Sequence, residues 1–213
     1  ILDENSMRNL EILKGLNSNR KSGSLLEVLD YTKTSMGQRL LRRWIEEPLL
    51  NVTDIKKRQD YVEEFKSDFI LLDDVRSILS SIIDMERQMV KISDNEINPN
   101  EFNALKGSLE SVMELKSYLE GSNFKNLNEI SYELKPLYNI IEEIDSMIVE
   151  DAPVKTVDVK FIKDGYNEEL DELFRLSKDG KKFLIDLEAK EKEETGIKNL
   201  KIKYNKILGY FIE

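Results

Sequence analysis

The longest regular pattern in this sequence runs from Asn167 to Gly196. Asn is a residue type that caps helix N-termini, Gly often ends helices, and apolar side chains recur between the two at helical spacing. These apolar positions are Leu170, Leu173, Phe174, Leu176, Phe183, Leu184 and Leu187. A helix of about 28 residues is roughly 42 Å long, far above the average. The pattern therefore predicts a mainly α protein with one long, stiff, projecting helix.

The last two turns of this predicted helix carry polar side chains on every side. Residues 188–194 are all charged except Ala189. A helix end of this kind usually stands in solvent or bridges domains. Glu188, Glu191 and Glu194 also have a spacing that suits a cation, but a solvated helix end explains them better. We therefore predict no metal site here.

The period of the apolar residues changes from helix to strand after Gly196. Leu200, Ile202 and Tyr204 alternate with lysines, residues 205–209 have the composition of a turn, and residues 210–212 resemble a second strand. The sequence thus predicts a short terminal β-hairpin. A lone two-stranded ribbon is marginal in water, so we expect it to belong to a larger sheet.

The residues before the long helix predict a helical core bundle. The predicted helices are 25–29, 35–47, 51–67, 69–83, 98–121 and 134–149, with another opening at Asp84 and with residues 122–133 open between loop and helix. Ser35 and Gln38 have the spacing of a capping box. Trp44, the one Trp of the chain, lies on the apolar side of the helix that follows. We expect this helix in the core, with the other helices packed around it.

Charge is distributed unevenly along the chain, whose net charge is −10. Residues 1–60 carry 11 Lys and Arg against 9 Asp and Glu, a net charge of +2. Residues 61–195 carry 17 against 32, a net charge of −15, and residues 196–213 carry 4 Lys against one Glu, a net charge of +3. Since DNA phosphates attract Lys and Arg, the acidic middle does not predict a DNA site, whereas the last 18 residues do.

The residue types needed for most enzymatic chemistry are missing. The chain has no Cys and no His, which removes thiolate metal sites, thiol nucleophiles and the commonest general base. The triplet from Gly180 to Lys182 lacks the leading Gly and the hydroxyl of a phosphate-binding loop. No apolar run approaches the ~20 residues that span a bilayer, and no secretory signal opens the chain. We predict no active site, cofactor site or metal site in this segment, and no membrane association.

One group of residues is a candidate binding surface. Lys201, Lys203, Asn205 and Lys206 lie in the predicted hairpin, where they could contact the DNA backbone through charge and amide hydrogen bonds. Such contacts position a protein on DNA but carry no sequence information. An alternative from the residues alone is that the lysines protect an edge strand from aggregation. On the residues alone the two interpretations have comparable weight.

Three parts of the sequence resemble the core of the MutS family of DNA mismatch-recognition proteins. The first part is the stretch from Ser24 to Leu50, together with Leu2-Asp3 and Arg8-Asn9-Leu10-Glu11 at the start of the chain. The second is Ile162-Lys163-Asp164-Gly165-Tyr166-Asn167. The third is Tyr204-Asn205 with Gly209-Tyr210-Phe211-Ile212-Glu213. Asp84-Met85-Glu86-Arg87 is similar to another segment of the same core. The resemblance covers essentially the whole chain.

The resemblance implies an all-helical core in residues 1–163, a lever helix in residues 164–196 and the start of a β clamp in residues 197–213. In the family, the clamp closes over DNA and the lever couples it to an ATPase domain. The mismatch-reading Phe-x-Glu wedge would lie before this segment, and the site for ATP and Mg²⁺ would lie after it. The segment would then belong to a longer cytoplasmic protein, as the start at Ile1 rather than Met also suggests.

The resemblance further implies that the longer protein binds mismatched duplex DNA through its complete clamp. It would form a homodimer and have a MutL-like protein as a partner. The alternative from another functional class is a helical scaffold or adaptor that binds protein partners through the acidic helical body.

Overall fold

The computed structural model describes residues 3–156, 159–205, 207 and 209–213. They form helices α1 (Glu4–Asn9), α2 (Leu25–Leu29), α3 (Ser35–Glu46), α4 (Val52–Ser67), α5 (Phe69–Ser80), α6 (Met85–Ser93), α7 (Pro99–Glu120), α8 (Lys125–Glu133), α9 (Tyr138–Met147) and α10 (Glu168–Thr195), and strands β1 (Ile202–Asn205) and β2 (Gly209–Ile212). The mainly α fold with one small antiparallel sheet is confirmed.

The chain divides into two compact units, Ile1–Phe161 and Ile162–Glu213. The first unit contains α1 to α9, and the second contains α10, β1 and β2.

Helix α7 is the centre of the first unit. It packs against α5, α6, α8 and α9. The helix starts at its N-cap Asn98, as the sequence indicates. Its N-terminus is a capping box, because Asn98 Oδ1 accepts from the Glu101 N–H and Glu101 Oε2 accepts from the Asn98 N–H. Two of its buried side chains, Leu115 and Leu119, form an apolar cluster with Leu71 and Val75 of α5 and Leu127 of α8. Burial of this cluster supplies most of the driving force for packing these helices.

A carboxylate from α4 caps α8. Helix α8 follows Phe124, whose side chain has no atom that can accept a hydrogen bond. Glu64 supplies the acceptors instead: its Oε1 lies 3.1 Å from the Asn126 N and 2.7 Å from Asn126 Nδ2, and its Oε2 lies 3.0 Å from the Leu127 N. A negative charge at a helix N-terminus satisfies unpaired N–H groups and the helix dipole together. Glu64 thus fixes the position of α8 against α4.

The prediction for α3 is wrong in two respects. Its N-cap is Thr34, which accepts from the Gly37 N–H at 3.0 Å, and Gln38 donates to Asp30 rather than completing a box with Ser35. None of the residues of α3, all of which the structure describes, is buried. Trp44 is 40% exposed, and the Arg58 guanidinium of α4 lies over its ring, 3.5 Å from the centroid. This cation–π contact covers one face of the indole at the surface.

Arg39 joins α3 to the start of α6. Its Nη1 and Nη2 atoms lie 2.7 and 2.8 Å from the two carboxylate oxygens of Asp84, and it also pairs with Glu86. Asp84 is at the same time the N-cap of α6, as the sequence indicates. The guanidinium of Arg39 lowers the pKa of Asp84 to about 2. The sequence predicts the turn at Asp84 but not its partner.

Two further helices differ from the prediction. The apolar residues at 25, 26, 28 and 29 predict a buried helix, but in α2 only Leu26 is buried, whereas Leu25, Val28 and Leu29 are 42%, 66% and 47% exposed. Helix α9 begins at Tyr138, so Pro136 precedes it instead of lying in its first turn. Residues 125–133, left open by the sequence, form α8.

Candidate nucleic-acid interface

Helix α10 has the predicted ends and length. Asn167 Oδ1 accepts from the Leu170 N–H at 2.8 Å, and 28 helical residues follow. Gly196 ends the helix with φ of 70°, a left-handed conformation that costs Gly little, and its N–H donates to the Lys192 carbonyl. None of the α10 residues, all of them described, is buried, and Leu173, Leu176 and Phe183 are each more than half exposed.

Strands β1 and β2 form the predicted hairpin after this helix. The register pairs Ile202 with Ile212 and Tyr204 with Tyr210. Lys201 and Glu213 extend the ladder by exchanging both backbone hydrogen bonds, at 2.8 and 3.0 Å. The rings of Tyr204 and Tyr210 lie 5.1 Å apart and tilted. This cross-strand aromatic pair stabilises the register.

Side chains of the hairpin and of α10 attach the two elements to each other. Leu200, which precedes β1, is 5% exposed. The carboxylate of Glu188 accepts from the Ile202 N–H at 3.0 Å and from Lys192 Nζ at 2.6 Å. Tyr210 of β2 shares a surface pocket with α10 residues that include Leu176 and Phe183. The prediction that the polar end of α10 stands freely in solvent is therefore wrong at Glu188.

The two described lysines among the DNA-contact candidates are exposed. Lys201 lies directly before β1, and Lys203 lies within it. Lys203 pairs across the ladder with Phe211. Its ammonium forms an ion pair with Glu213, which lies two residues after Phe211 on the opposite side of the hairpin. Glu188 has a lowered pKa, caused mainly by Lys192 and the Ile202 N–H and partly by the charge of Lys201. Both lysines thus already interact with a carboxylate of this unit.

The amide of Asn205 also has a structural role. Its Oδ1 accepts from the Ile207 N–H at 2.8 Å within the turn between the strands. The amino group of the same side chain is the part that can donate to a phosphate oxygen. Lys206, the remaining candidate, lies outside the described residues, as do Leu2 and Leu208.

The aromatic pair is a surface feature that was not among the predicted site residues. Tyr204 and Tyr210 are each 63% exposed. Each ring presents an apolar face and a hydroxyl that can donate to a phosphate. The sequence contains a signal for this pair, because Tyr204 and Tyr210 lie on either side of the predicted turn at 205–209, and the turn brings them opposite each other. The hairpin therefore offers ammonium, amide and phenol donors on one short element.

Across residues 3–156, 159–205, 207 and 209–213, no group of three or more His, Cys, Asp or Glu side chains could hold a metal ion. Among the same residues, no helix is both long and apolar enough to cross a membrane.

Similarity to known proteins covers the whole chain. The family model described as MutS domain III matches residues 5–206. The chain is 46% identical to the DNA mismatch repair protein MutS of Acetivibrio thermocellus over 214 aligned residues, 44% identical to that of Caldicellulosiruptor bescii over 212, and 43% identical to that of Clostridioides difficile over 213.

Each of these alignments includes 100% of this chain but 24%, 25% and 22% of the relative, respectively, so the chain spans about a quarter of the length of the curated relatives that it matches. The match of the family model and the level of identity agree with the fold and with the resemblance noted in the sequence. The chain belongs to the MutS domain III family.

Proposed function

We propose that this chain is the core and lever segment of a DNA mismatch-recognition ATPase. In this proposal residues 1–163 form the core, residues 164–196 form the lever, and residues 197–213 begin a clamp that closes over DNA. The lever transmits motion between the clamp and a nucleotide-binding domain outside this chain. The names of the relatives, all called DNA mismatch repair proteins, support this assignment.

The activities of the longer protein follow from the same proposal. It binds mismatched duplex DNA through the complete clamp, and it binds ATP with Mg²⁺ at a site outside this chain. It acts as a homodimer in the cytoplasm and has a MutL-like partner. The segment itself contributes mechanics and DNA-backbone contacts, with no reactive group of its own.

The observation that carries the proposal is the continuous helix that ends in a lysine-bearing hairpin. Helix α10 has 28 residues without a break, which corresponds to about 42 Å at 1.5 Å per residue. A hydrogen-bonded helix of this length is stiff, because a bend needs an insertion, a Pro or a lost hydrogen bond. Motion at one end of such a rod therefore reaches the other end without being absorbed.

The proposed contacts to DNA are made by Lys201, Lys203, Asn205 and Lys206. The lysines supply charge for phosphates, and the Asn205 amino group supplies a directional donor. Contacts to the backbone suit a clamp, because a clamp has to hold DNA of any sequence. The pairing of Lys203 with Glu213 does not prevent this role, since an exposed ion pair is worth only about 0–1 kcal/mol.

The test is made in a full-length protein. This chain replaces the matching segment of the Acetivibrio thermocellus MutS, and the binding of mismatched duplex DNA is measured as a function of salt. Lys201→Glu combined with Lys203→Glu removes two phosphate contacts, so the slope of log K against log[salt] falls by about 2 in magnitude and affinity drops.

The matched control is Lys56→Glu combined with Lys66→Glu, which makes the same change in charge on α4 of the first unit. The control leaves the salt slope within about 0.5 of the unsubstituted chimera. An unchanged slope and affinity in the Lys201 and Lys203 variant would show that these lysines do not contact DNA.

A further inference from the structure

The carboxylate of Glu188 joins two consecutive elements, helix α10 and strand β1. Glu188 lies in the penultimate turn of α10. Its Oε2 accepts from the N–H of Ile202, the first residue of β1. Its Oε1 accepts from Lys192 Nζ, one helical turn further along. The side chain is 28% exposed, so it is partly shielded from water by the elements that it joins.

The pairing of the strands leaves the Ile202 N–H available for this contact. Lys201 and Glu213 exchange both of their backbone hydrogen bonds. In an antiparallel ladder the next pair along, Ile202 with Ile212, then directs its N–H and C=O groups away from the partner strand. The Ile202 N–H thus points out of the hairpin at the open edge of β1, and Glu188 satisfies it.

Three features restrain Glu188 itself. The helix fixes its backbone, Lys192 holds one carboxylate oxygen, and the N–H of Ile202 holds the other. The lowered pKa of Glu188 agrees with a carboxylate stabilised in its charged form by these donors. A hydrogen bond to a charged acceptor is about twice as strong as one between neutral groups.

We propose that Glu188 is a positioning residue that locks the hairpin onto α10, so that helix and hairpin move as one rigid piece. The hydrogen bond to Ile202 fixes the direction of β1 relative to the helix axis, and buried Leu200 fixes the segment just before it. Without Glu188 only the contacts of Leu200 and Tyr210 hold the hairpin to α10, so the direction of the hairpin varies more widely about residues 196–201. The contribution of this lock to the transmission of motion rests on the proposed function, but the existence of the lock does not.

The absence of Cys from the chain allows a clean measurement of the angle between helix and hairpin. Spin labels are attached to Lys178→Cys on α10 and to Ile207→Cys in the turn, which is 91% exposed. Pulsed electron spin resonance then gives the distribution of distances between the labels. We expect one narrow distribution in the 213-residue chain and a distribution at least twice as wide after Glu188→Ala.

The control variant is Glu194→Ala. Glu194 lies on the same helix end, carries the same charge and pairs only loosely with Lys190, at 3.7 Å. The Glu194→Ala substitution removes one carboxylate and no hydrogen bond to the hairpin. We therefore expect the distance distribution of this variant to stay as narrow as that of the unsubstituted chain.

Amide hydrogen exchange separates a lock from a role in general stability. In Glu188→Ala the Ile202 N–H exchanges about tenfold faster or more, because it has lost a charged acceptor. The N–H of Lys203 pairs across the ladder with Phe211 and keeps its protection. Glu188→Gln, which keeps an acceptor oxygen, gives an intermediate rate at Ile202.

Two results would overturn the proposal. In one, the distance distribution and the Ile202 exchange rate of Glu188→Ala equal those of the control. In the other, Lys203 loses protection together with Ile202, which would mean that Glu188 holds the hairpin together instead of orienting it. Neither result depends on DNA binding, so a failure of the lock is distinguishable from a failure of the proposed function.

Discussion

Helices α7 and α10 have similar sequence signals at their ends but lie in different environments. Each begins after an Asn cap and ends at a Gly, and each carries a stripe of apolar residues. Helix α7 buries seven residues among four neighbouring helices, whereas none of the described residues of α10 is buried. The contrast shows that local sequence determines where a helix starts and stops, while its neighbours determine what the helix does. Helix α7 holds the first unit together, and α10 keeps most of its apolar side chains at the surface.

Truncation of a buried Leu gives the largest expected difference between the two helices. Leu119 of α7 is 2% exposed, and Leu173 of α10 is 57% exposed. Leu119→Ala loses packing and leaves a cavity, which lowers the free energy of unfolding by about 2–5 kcal/mol. Leu173→Ala lowers it by less than about 0.5 kcal/mol, the range of ordinary surface substitutions. Urea unfolding of the two variants measures both values, and equal losses would contradict the comparison.

Removal of the Glu64 carboxylate gives the next largest effect. Glu64→Ala leaves the N–H groups of Asn126 and Leu127 at the start of α8 without their acceptor. The expected loss of unfolding free energy in the first unit is about 1–3 kcal/mol. The exposed neighbour Glu63 provides the matched control, since Glu63→Ala removes the same charge from α4. A loss as large for Glu63→Ala would show that charge, and not capping, is responsible.

The two Asn caps give a smaller and more specific contrast. Asn98→Ala and Asn167→Ala each remove one side-chain cap, worth about 1 kcal/mol to its helix. Because α7 is central to the packing of the first unit, the loss at Asn98 appears in the global unfolding free energy. The loss at Asn167 appears as faster amide exchange in the first turn of α10. Hydrogen exchange combined with urea unfolding tests both, and a global effect of Asn167→Ala would contradict the account.

The smallest effect concerns acid stability. Arg39 holds the pKa of Asp84 at about 2, below its ordinary value of 3.8. The contribution of this pair is therefore fully present above about pH 4 and is lost as the pH falls toward 2. Asp84→Asn abolishes this part of the acid sensitivity, so the difference in urea midpoint between the variant and the unsubstituted chain shrinks from pH 5 to pH 2.5. A difference that grows toward low pH would have the wrong sign.

Local signals made much of the fold predictable. Asn98 with Glu101, Asn167 and Gly196 act within one helical turn, and their caps are found where the sequence indicates them. The alternation around Ile202 and the turn after Asn205 likewise predict the hairpin, although not its exact register. These signals involve residues that are neighbours in the chain, so the sequence contains them directly.

Contacts between distant residues account for the errors. Trp44 looked like a core residue by its type, but Arg58 covers it at the surface. The spacing of Ser35 and Gln38 predicts a capping box, but Asp30 accepts from Gln38 instead. The charged residues around Glu188 predict a solvated helix end, but the N–H of Ile202, 14 residues later, donates to Glu188. Each error depends on a partner whose position only the tertiary structure supplies.

The candidate DNA-contacting residues show both cases. The hairpin that carries Lys201 and Lys203 is predictable from the change in period at Gly196. The ion pair of Lys203 with Glu213 and the use of Asn205 in the turn are not, because they depend on the exact register and turn geometry. The role of these residues in DNA binding remains the proposal that charge reversal tests.

The stiffness of α10 is the central claim, and one pair of variants tests it most directly. In the chimera with Acetivibrio thermocellus MutS, Lys178, Asp179 and Lys181, which flank Gly180, are replaced either by three Gly or by three Ala. Both variants lose the same side chains, but each Gly weakens the helix by about 1 kcal/mol relative to Ala. The measured quantity is the change in affinity for mismatched DNA when ADP is replaced by ATP. The account predicts that the Ala variant keeps this change and the Gly variant loses it, while both still hydrolyse ATP and bind DNA. An equal ATP response in the two variants would contradict the account.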